Sequence, residues 1–324
     1  MRTVTGVLVL VATIGLSGPG QVSAQPYPAR QVRMILPYLA GTASDTVTRA
    51  ISIKLGEALG QPVVVDNRPG AAGILGAEAA VQAAPDGYTL LMAGVGPLTI
   101  NPALYRKLPY DPVRDFTPVV EAAYLPLVLV VHPSLPTRTP QEFVAFARQR
   151  PGQLDFGSTG KGSEVHMVTE LFKAATGTNM THIPYKGAPT AMADLISGRI
   201  PVFFPSLVSA MPHALAGRLR VLAISTDKRS RAMASVPTFA ESGYPSVVAA
   251  VWFAIVARAG TPEPIVTKLN AEINRILQMP EIQQRLADQG GEVIGGTPLQ
   301  LAERIRLDTA KWSGVVKSAG LKPE

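Results

Sequence analysis

The residues whose types and spacing could do chemistry are concentrated in Leu154-Asp-Phe-Gly-Ser-Thr-Gly-Lys-Gly-Ser-Glu-Val-His166. There an apolar strand runs into glycines at 157, 160 and 162, interleaved with Ser158, Thr159 and Ser163. A helix then begins, with Val165, Val168, Leu171, Phe172 and Ala175 spaced to bury one face. Glycine lets backbone approach a ligand closely, and the first amides of a helix have no partner inside it. With the helix dipole behind them, those amides form a seat for an anion. An ordinary strand-to-helix turn is the other reading of the same residues. Two phosphate motifs are excluded: Gly162 separates Lys161 from Ser163, which breaks the P-loop spacing, and Val165 stands where a dinucleotide turn needs a third small residue.

Evidence for catalysis is thinner. The chain has no Gly-x-Ser-x-Gly elbow and no His-Glu-x-x-His zinc helix. His132, His166, His182 and His213 are scattered, without metal-ligand spacing, and no cofactor motif is present. His166 stands beside the glycine turn, where it either touches a ligand or packs under the loop. Asp45 reads as a residue that braces its turn in preference to a general base. Tyr88 and Trp252 read as core.

The elements that must position these residues alternate. A buried strand, Val32 to Pro37, enters Tyr38-Leu-Ala-Gly-Thr-Ala-Ser-Asp45, and a helix follows with Val47, Ile51, Leu55 and Leu59 on one side. Ser44 or Asp45 is the expected N-cap. A second strand, Gln61 to Asp66, leads through Asn67-Arg-Pro-Gly-Ala-Ala-Gly73 into an alanine-rich helix, and Tyr88 to Ala93 is a third strand. Tyr124 to His132 reads as one continuous apolar strand, and strands at 179–184, 200–204, 219–225 and 252–257 follow. Two closing helices each open on Thr-Pro, from about 262 and 297, with threonine as cap and proline in the first helical position. The pattern is α/β with mostly parallel sheets, and its glycine turns fall in two blocks. Ligands of such sheets sit at the carboxyl ends of the strands, so the Tyr38–Asp45 and Gly157–Ser163 turns are expected to face each other across a cleft.

Composition sets the class. Residues 1–24 carry one charge, Arg2, then an apolar run, and end Val22-Ser23-Ala24, the pattern of a secretory signal peptide. Hydrophobic residues make up 47% and charged residues 16%, which fits a globular protein with an ample core. With no cysteine, stability must come from packing and not from disulfides. The formal charge of +7 is spread along the chain without basic blocks, which argues against nucleic-acid binding.

The ordered motifs resemble those of the Bug-type receptors, the periplasmic solute-binding components of tripartite tricarboxylate transporters. The matching stretches begin with Pro37-Tyr-x-x-Gly41-x-x-x-Asp45 with Arg49, Asn67-Arg-Pro-Gly70-x-x-Gly73-x-x-Gly76 and Pro85-Asp-Gly-Tyr-Thr89. Asn101-Pro-x-Leu-Tyr105, Gly157-Ser-x-Gly-x-Gly-Ser163-x-x-His166 and His182-x-Pro-Tyr-Lys-Gly187 come next, then Val236-Pro-Thr238, Gly260-Thr-Pro262 and Trp312. The resemblance implies a hinged, two-lobed α/β periplasmic binding protein of the Venus flytrap type. It would be a monomer and not an enzyme, and would deliver an organic anion to membrane permease subunits. Residues 25–124 and 250–324 would build the first lobe and 125–249 the second. By the same resemblance Tyr38, Gly41, Asp45, Ser158, Gly160, Gly162, Ser163 and His166 form the site, to which Thr42, Ser44, Thr159 and Ser206 are added. Two departures stand out. Thr42 replaces a usual second glycine, and Pro205-Ser206 stands where an aspartate is common, which argues against a free amino acid as ligand. An exported hydrolase or transferase using Asp45 or His166, marked by two carboxylates facing each other across the cleft or by a histidine bonded to a hydroxyl nucleophile, is the competing class. A receptor that docks on a sensor kinase is a further alternative.

Overall fold

The computed structural model describes residues 27–321 apart from 289, so the expected signal peptide lies outside the described residues. The strands are β1 (Val32–Leu36), β2 (Val63–Asn67), β3 (Thr89–Gly94), β4 (Phe116–Pro126), β5 (Val128–Val131), β6 (Asp155–Ser158), β7 (Thr181–Pro184), β8 (Val202–Phe203), β9 (Arg220–Ile224), β10 (Ala250–Arg258) and β11 (Glu292–Gly295). They form a six-stranded sheet in the order β11-β4-β10-β3-β1-β2 and a five-stranded sheet in the order β7-β6-β8-β5-β9. The helices are α1 (Ala43–Leu59), α2 (Ile74–Val81), α3 (Asn101–Leu104), α4 (Pro140–Arg148), α5 (Glu164–Thr176), α6 (Ala188–Ile196), α7 (Leu207–Leu215), α8 (Glu263–Leu277), α9 (Pro280–Asp288) and α10 (Pro298–Ser318). The two sheets and their helices give the expected two-lobed α/β architecture.

Both sheets are mixed, which corrects the expectation of mostly parallel ones. Strands β2, β1 and β3 are parallel, as are β7, β6 and β8, because a helix returns the chain to the same edge between them. Strands β10, β4 and β11 add antiparallel to the first sheet, and β5 and β9 to the second. These include the strands where the chain passes between the sheets, from β4 to β5 and from β9 to β10. The apolar run from Tyr124 to His132 is therefore two strands, divided at Leu127 between two sheets.

Other local differences have local reasons. The cap of α1 is Thr42, whose hydroxyl accepts the Asp45 N–H at 3.4 Å, and not Ser44 or Asp45. Thr297 caps α10 in a reciprocal box with Gln300. Thr261, in contrast, turns its hydroxyl back to the Arg258 carbonyl, and Pro262 occupies the cap of α8. Pro280 opens α9, where a missing N–H costs nothing.

One face of the first sheet is covered by α1, α8 and α9 over a core that includes Ile51, Leu55, Leu269 and Ile273. A second core runs from the opposite face of that sheet through α10 into the second sheet, and joins Trp252 and Trp312 to Phe143, Phe156, Phe172 and Phe204. Each fully buried aromatic of this set contributes about 2–3 kcal/mol of transfer free energy. Asp308 of α10 accepts a hydrogen bond from Trp252 Nε1 at 2.7 Å, so that the buried indole is satisfied. Helix α10 packs on both β4 and α5, which ties the helix bearing the glycine-serine turn to the first sheet. Among the described residues no helix is long and apolar enough to cross a membrane.

Candidate ligand-binding site

The two turns chosen from the sequence lie at the carboxyl ends of parallel strands, β1 and β6, and open α1 and α5. In the first, Gly41 takes φ 81° and donates its N–H to Asp45 Oδ2 at 3.0 Å. The same oxygen accepts Arg49 Nε at 3.0 Å, and Oδ1 accepts Asn67 Nδ2 at 2.9 Å. Asn67 Nδ2 also reaches the Tyr38 carbonyl, and Arg49 donates to Asn67 Oδ1. The Arg49 hydrogen bond, opposed by burial and helped by the Gly41 amide, lowers the Asp45 pKa to about 2. So weak a base cannot take a proton near neutral pH, and Asp45 is the brace of its turn. Thr42 Oγ1 donates to the Leu39 carbonyl at 2.8 Å and lies 3.0 Å from Ser44 Oγ, so both hydroxyls stand at the start of α1.

Tyr38 packs edge-on against Phe253 and accepts the Gly94 N–H through its hydroxyl at 3.2 Å. Burial pushes its phenol well above the ordinary value, and the nearby Glu164 carboxylate adds to the shift. Tyr38 follows β1 of the first sheet, and Glu164 lies in the first turn of α5, which follows β6 of the second. Glu164 therefore lies within electrostatic reach of a residue that follows β1 of the first sheet. Gly96, just after β3, lies in the same place: a Cβ there would come within 3.0 Å of Glu164 Oε1.

The second turn is braced from below. Gly160 and Gly162 take φ 126° and 74°, and Ser163 caps α5 by accepting the His166 N–H at 3.3 Å. His166 is buried and its Nδ1 accepts the Gly162 N–H at 3.0 Å, so the structure places it under the loop. Its ring stacks on His182 with centroids 3.8 Å apart, and His182 stacks in turn on Phe156. Burial lowers both imidazoles, His166 to about 3 with help from His182, and His182 to about 4 with help from Lys173. Both are neutral near pH 7. Ser158 is fully buried, bonded to the N–H and carbonyl of Gly160 and, at 2.6 Å, to His182 Nε2. Thr159 and Gly160 are partly exposed on the loop above it. Ser206 caps α7 in position only, its hydroxyl lying 3.0 Å from Ser209 Oγ, and no contact described for it reaches either turn.

The Ser158–His182 pair is the hydroxyl–imidazole contact that would mark a hydrolase. A working nucleophile must be open to substrate and its base oriented by a third group. Here the serine is sealed in the core and no carboxylate is bonded to His182 among the described residues. No group of three or more metal-binding side chains is found among them either. What the arrangement can do is hold an anion with backbone amides and hydroxyls at two helix N-termini kept rigid from behind. Glu164, Gly94, Gly96 and His182 escaped the sequence reading as site residues. An acid in a helix's first turn is ordinarily put down to the helix dipole, and that hid Glu164.

Comparison with known proteins agrees with this architecture. Residues 47–321 match the tripartite tricarboxylate transporter family receptor model. The chain is 39% identical over 315 residues to the BugT protein of Bordetella pertussis, covering 97% of this chain and 96% of BugT. The structure of R. palustris Rpa4515 with adipate superposes with a TM-score of 0.80 at 37% identity, over 92% of this chain and all of that one. That of Rhodopseudomonas palustris MatC with bound malate does so with a TM-score of 0.76 at 32% identity, over 90% of this chain. The chain belongs to the receptor family of the tripartite tricarboxylate transporters.

Proposed function

We propose that this receptor works in the periplasm, as a monomer and not as an enzyme. In this reading it binds a small carboxylated molecule between its lobes and passes it to membrane permease subunits. The observation that supports the reading is a pair of small-residue turns at the carboxyl ends of parallel strands, one in each sheet, that open α1 and α5 and are braced by Asp45 in the one and by Ser158 and His166 in the other. Backbone amides and hydroxyls of Gly41, Thr42, Ser44, Thr159, Gly160 and Ser163 would take the carboxylate. Asp45, Ser158 and His166 would support the turns from behind, Tyr38 would wall the site, and Ser206 would lie at its margin. Adipate and malate in two structural relatives support the ligand class. The passage between sheets after Pro126 and again before Ala250 supports residues 125–249 as the second lobe and 25–124 with 250–324 as the first.

Native mass spectrometry of the mature protein, followed by a thermal-shift panel of organic acids, tests this. A tight ligand at about a hundredfold excess over Kd adds about 2.7 kcal/mol of stability. Recovery of the stabilising acid unchanged supports the receptor. Its conversion would reinstate Ser158 and His182 as chemistry, and the absence of any stabilising acid would refute the ligand class.

A further inference from the structure

Glu164 is a carboxylate at the place where a carboxylate-binding receptor should want a cation. It is the first residue of α5, next to the capping Ser163, and its side chain crosses from the second lobe to the backbone of Gly96 in the first. The Gly96 amide and its own amide stabilise its charge, while burial opposes it and leaves the carboxyl above its ordinary value. It forms no ion pair among the described residues, whereas Glu170 of the same helix pairs with Lys173 and Asp45 of the first turn with Arg49. Gly96 has no side chain to hold the acid away: a Cβ there would lie 3.0 Å from Oε1.

We propose that Glu164 is a specificity-determining residue, a carboxylate supplied by the protein at the lobe boundary that makes the receptor favour organic acids with one carboxylate over those with two. The proposal rests on the receptor reading above. One ligand carboxylate sits on the amides of the turns. A second, at the far end of a short chain confined between the lobes, would meet Glu164, whose charge no ion pair among the described residues offsets. Like charges within about 4–6 Å disfavour one another by tenfold or more in a withdrawn site. Glu164 also lies against the Gly96 amide, which a second ligand carboxylate would otherwise take.

The test is calorimetric titration of the mature protein and of its Glu164→Gln and Glu164→Ala variants with hexanoate and adipate. These acids share a chain length and differ by one carboxylate. The wild-type chain is expected to bind hexanoate more tightly, and Glu164→Gln to shift the ratio of the two dissociation constants about tenfold toward adipate. Glu164→Ala, which also removes the bulk, should shift the ratio in the same direction. A contact that only held the lobes together would change both affinities alike and leave the ratio where it was, and that result overturns the proposal. So does a wild-type preference for adipate. If neither acid, nor any other of the thermal-shift panel, binds wild type or variants, the receptor reading falls and this proposal with it. Melting temperatures of the free variants confirm that they are folded.

Discussion

Some polar residues of the two turns hold their loops from behind, and the histidines among them carry a measurable pH signature. His166 and His182 are stacked and withdrawn from water, with pKa values of about 3 and about 4 against an ordinary 6.5. The unfolded chain therefore binds more protons than the folded one between pH 6.5 and about 4. Stability from this pair is complete above pH 6.5 and is lost as the pH falls through that window. His166→Asn keeps an acceptor for the Gly162 N–H and removes one titration. Denaturant curves between pH 6.5 and 4 should fall less steeply in the variant, by at most about 1.4 kcal/mol per pH unit. Equal slopes would place the acid sensitivity elsewhere. The serine–histidine pair could be read from neither residue alone, since Ser158 and His182 are joined only when β6 and β7 align.

At the scale of elements, the turns depend on backbone that few residues can adopt. Gly162 has φ 74°, and a Cβ on it would sit 2.5 Å from Leu104 Cδ1 of α3. Gly217 also has a positive φ, 69°, but has nothing within 4 Å of its would-be Cβ. Gly217→Ala should cost about 1–2 kcal/mol, the left-handed penalty alone. Gly162→Ala should cost about 2–4 kcal/mol because overpacking is added, and it should weaken ligand binding as well. Chemical denaturation of the two variants measures the difference, and equal losses would mean that Leu104 simply moves aside. Ala71 and Ala72, with φ 46° and 53°, show the same left-handed backbone without glycine in the turn after β2. The Ala72 carbonyl is held by Asn101 Nδ2 at 3.1 Å, a long-range partner that offsets such strain.

At the scale of the whole molecule, one apolar core runs through both sheets, with α10 and α5 packed together between them. Chains that divide into independent domains unfold in steps. This one should unfold in a single calorimetric transition, with calorimetric and van't Hoff enthalpies in agreement, and two resolved peaks would show that the lobes are separable. The same packing limits how the cleft opens: movement is expected where Glu164 meets Gly96, and the α5–α10 contact should stay closed. Solution scattering with and without a stabilising acid should then show a small change in the radius of gyration, not a wide swing.

The sequence by itself determined the α/β class, the strand–turn–helix units that carry both halves of the site and, through the order of its motifs, the receptor family. These are local signals: apolar periodicity, small residues in turns, caps at helix starts. Asp45 as a brace was legible too, because a carboxylate in the first turn of a helix has amides close at hand. Only the tertiary structure decided the mixed pairing of the sheets, since an apolar run such as Tyr124 to His132 looks alike whether it stays in one sheet or divides between two. It also decided that Ser158 and His166 lie under their loop and that Glu164 lies against Gly96. Burial and cross-lobe distance are properties of the packed chain, and no spacing along the sequence encodes them.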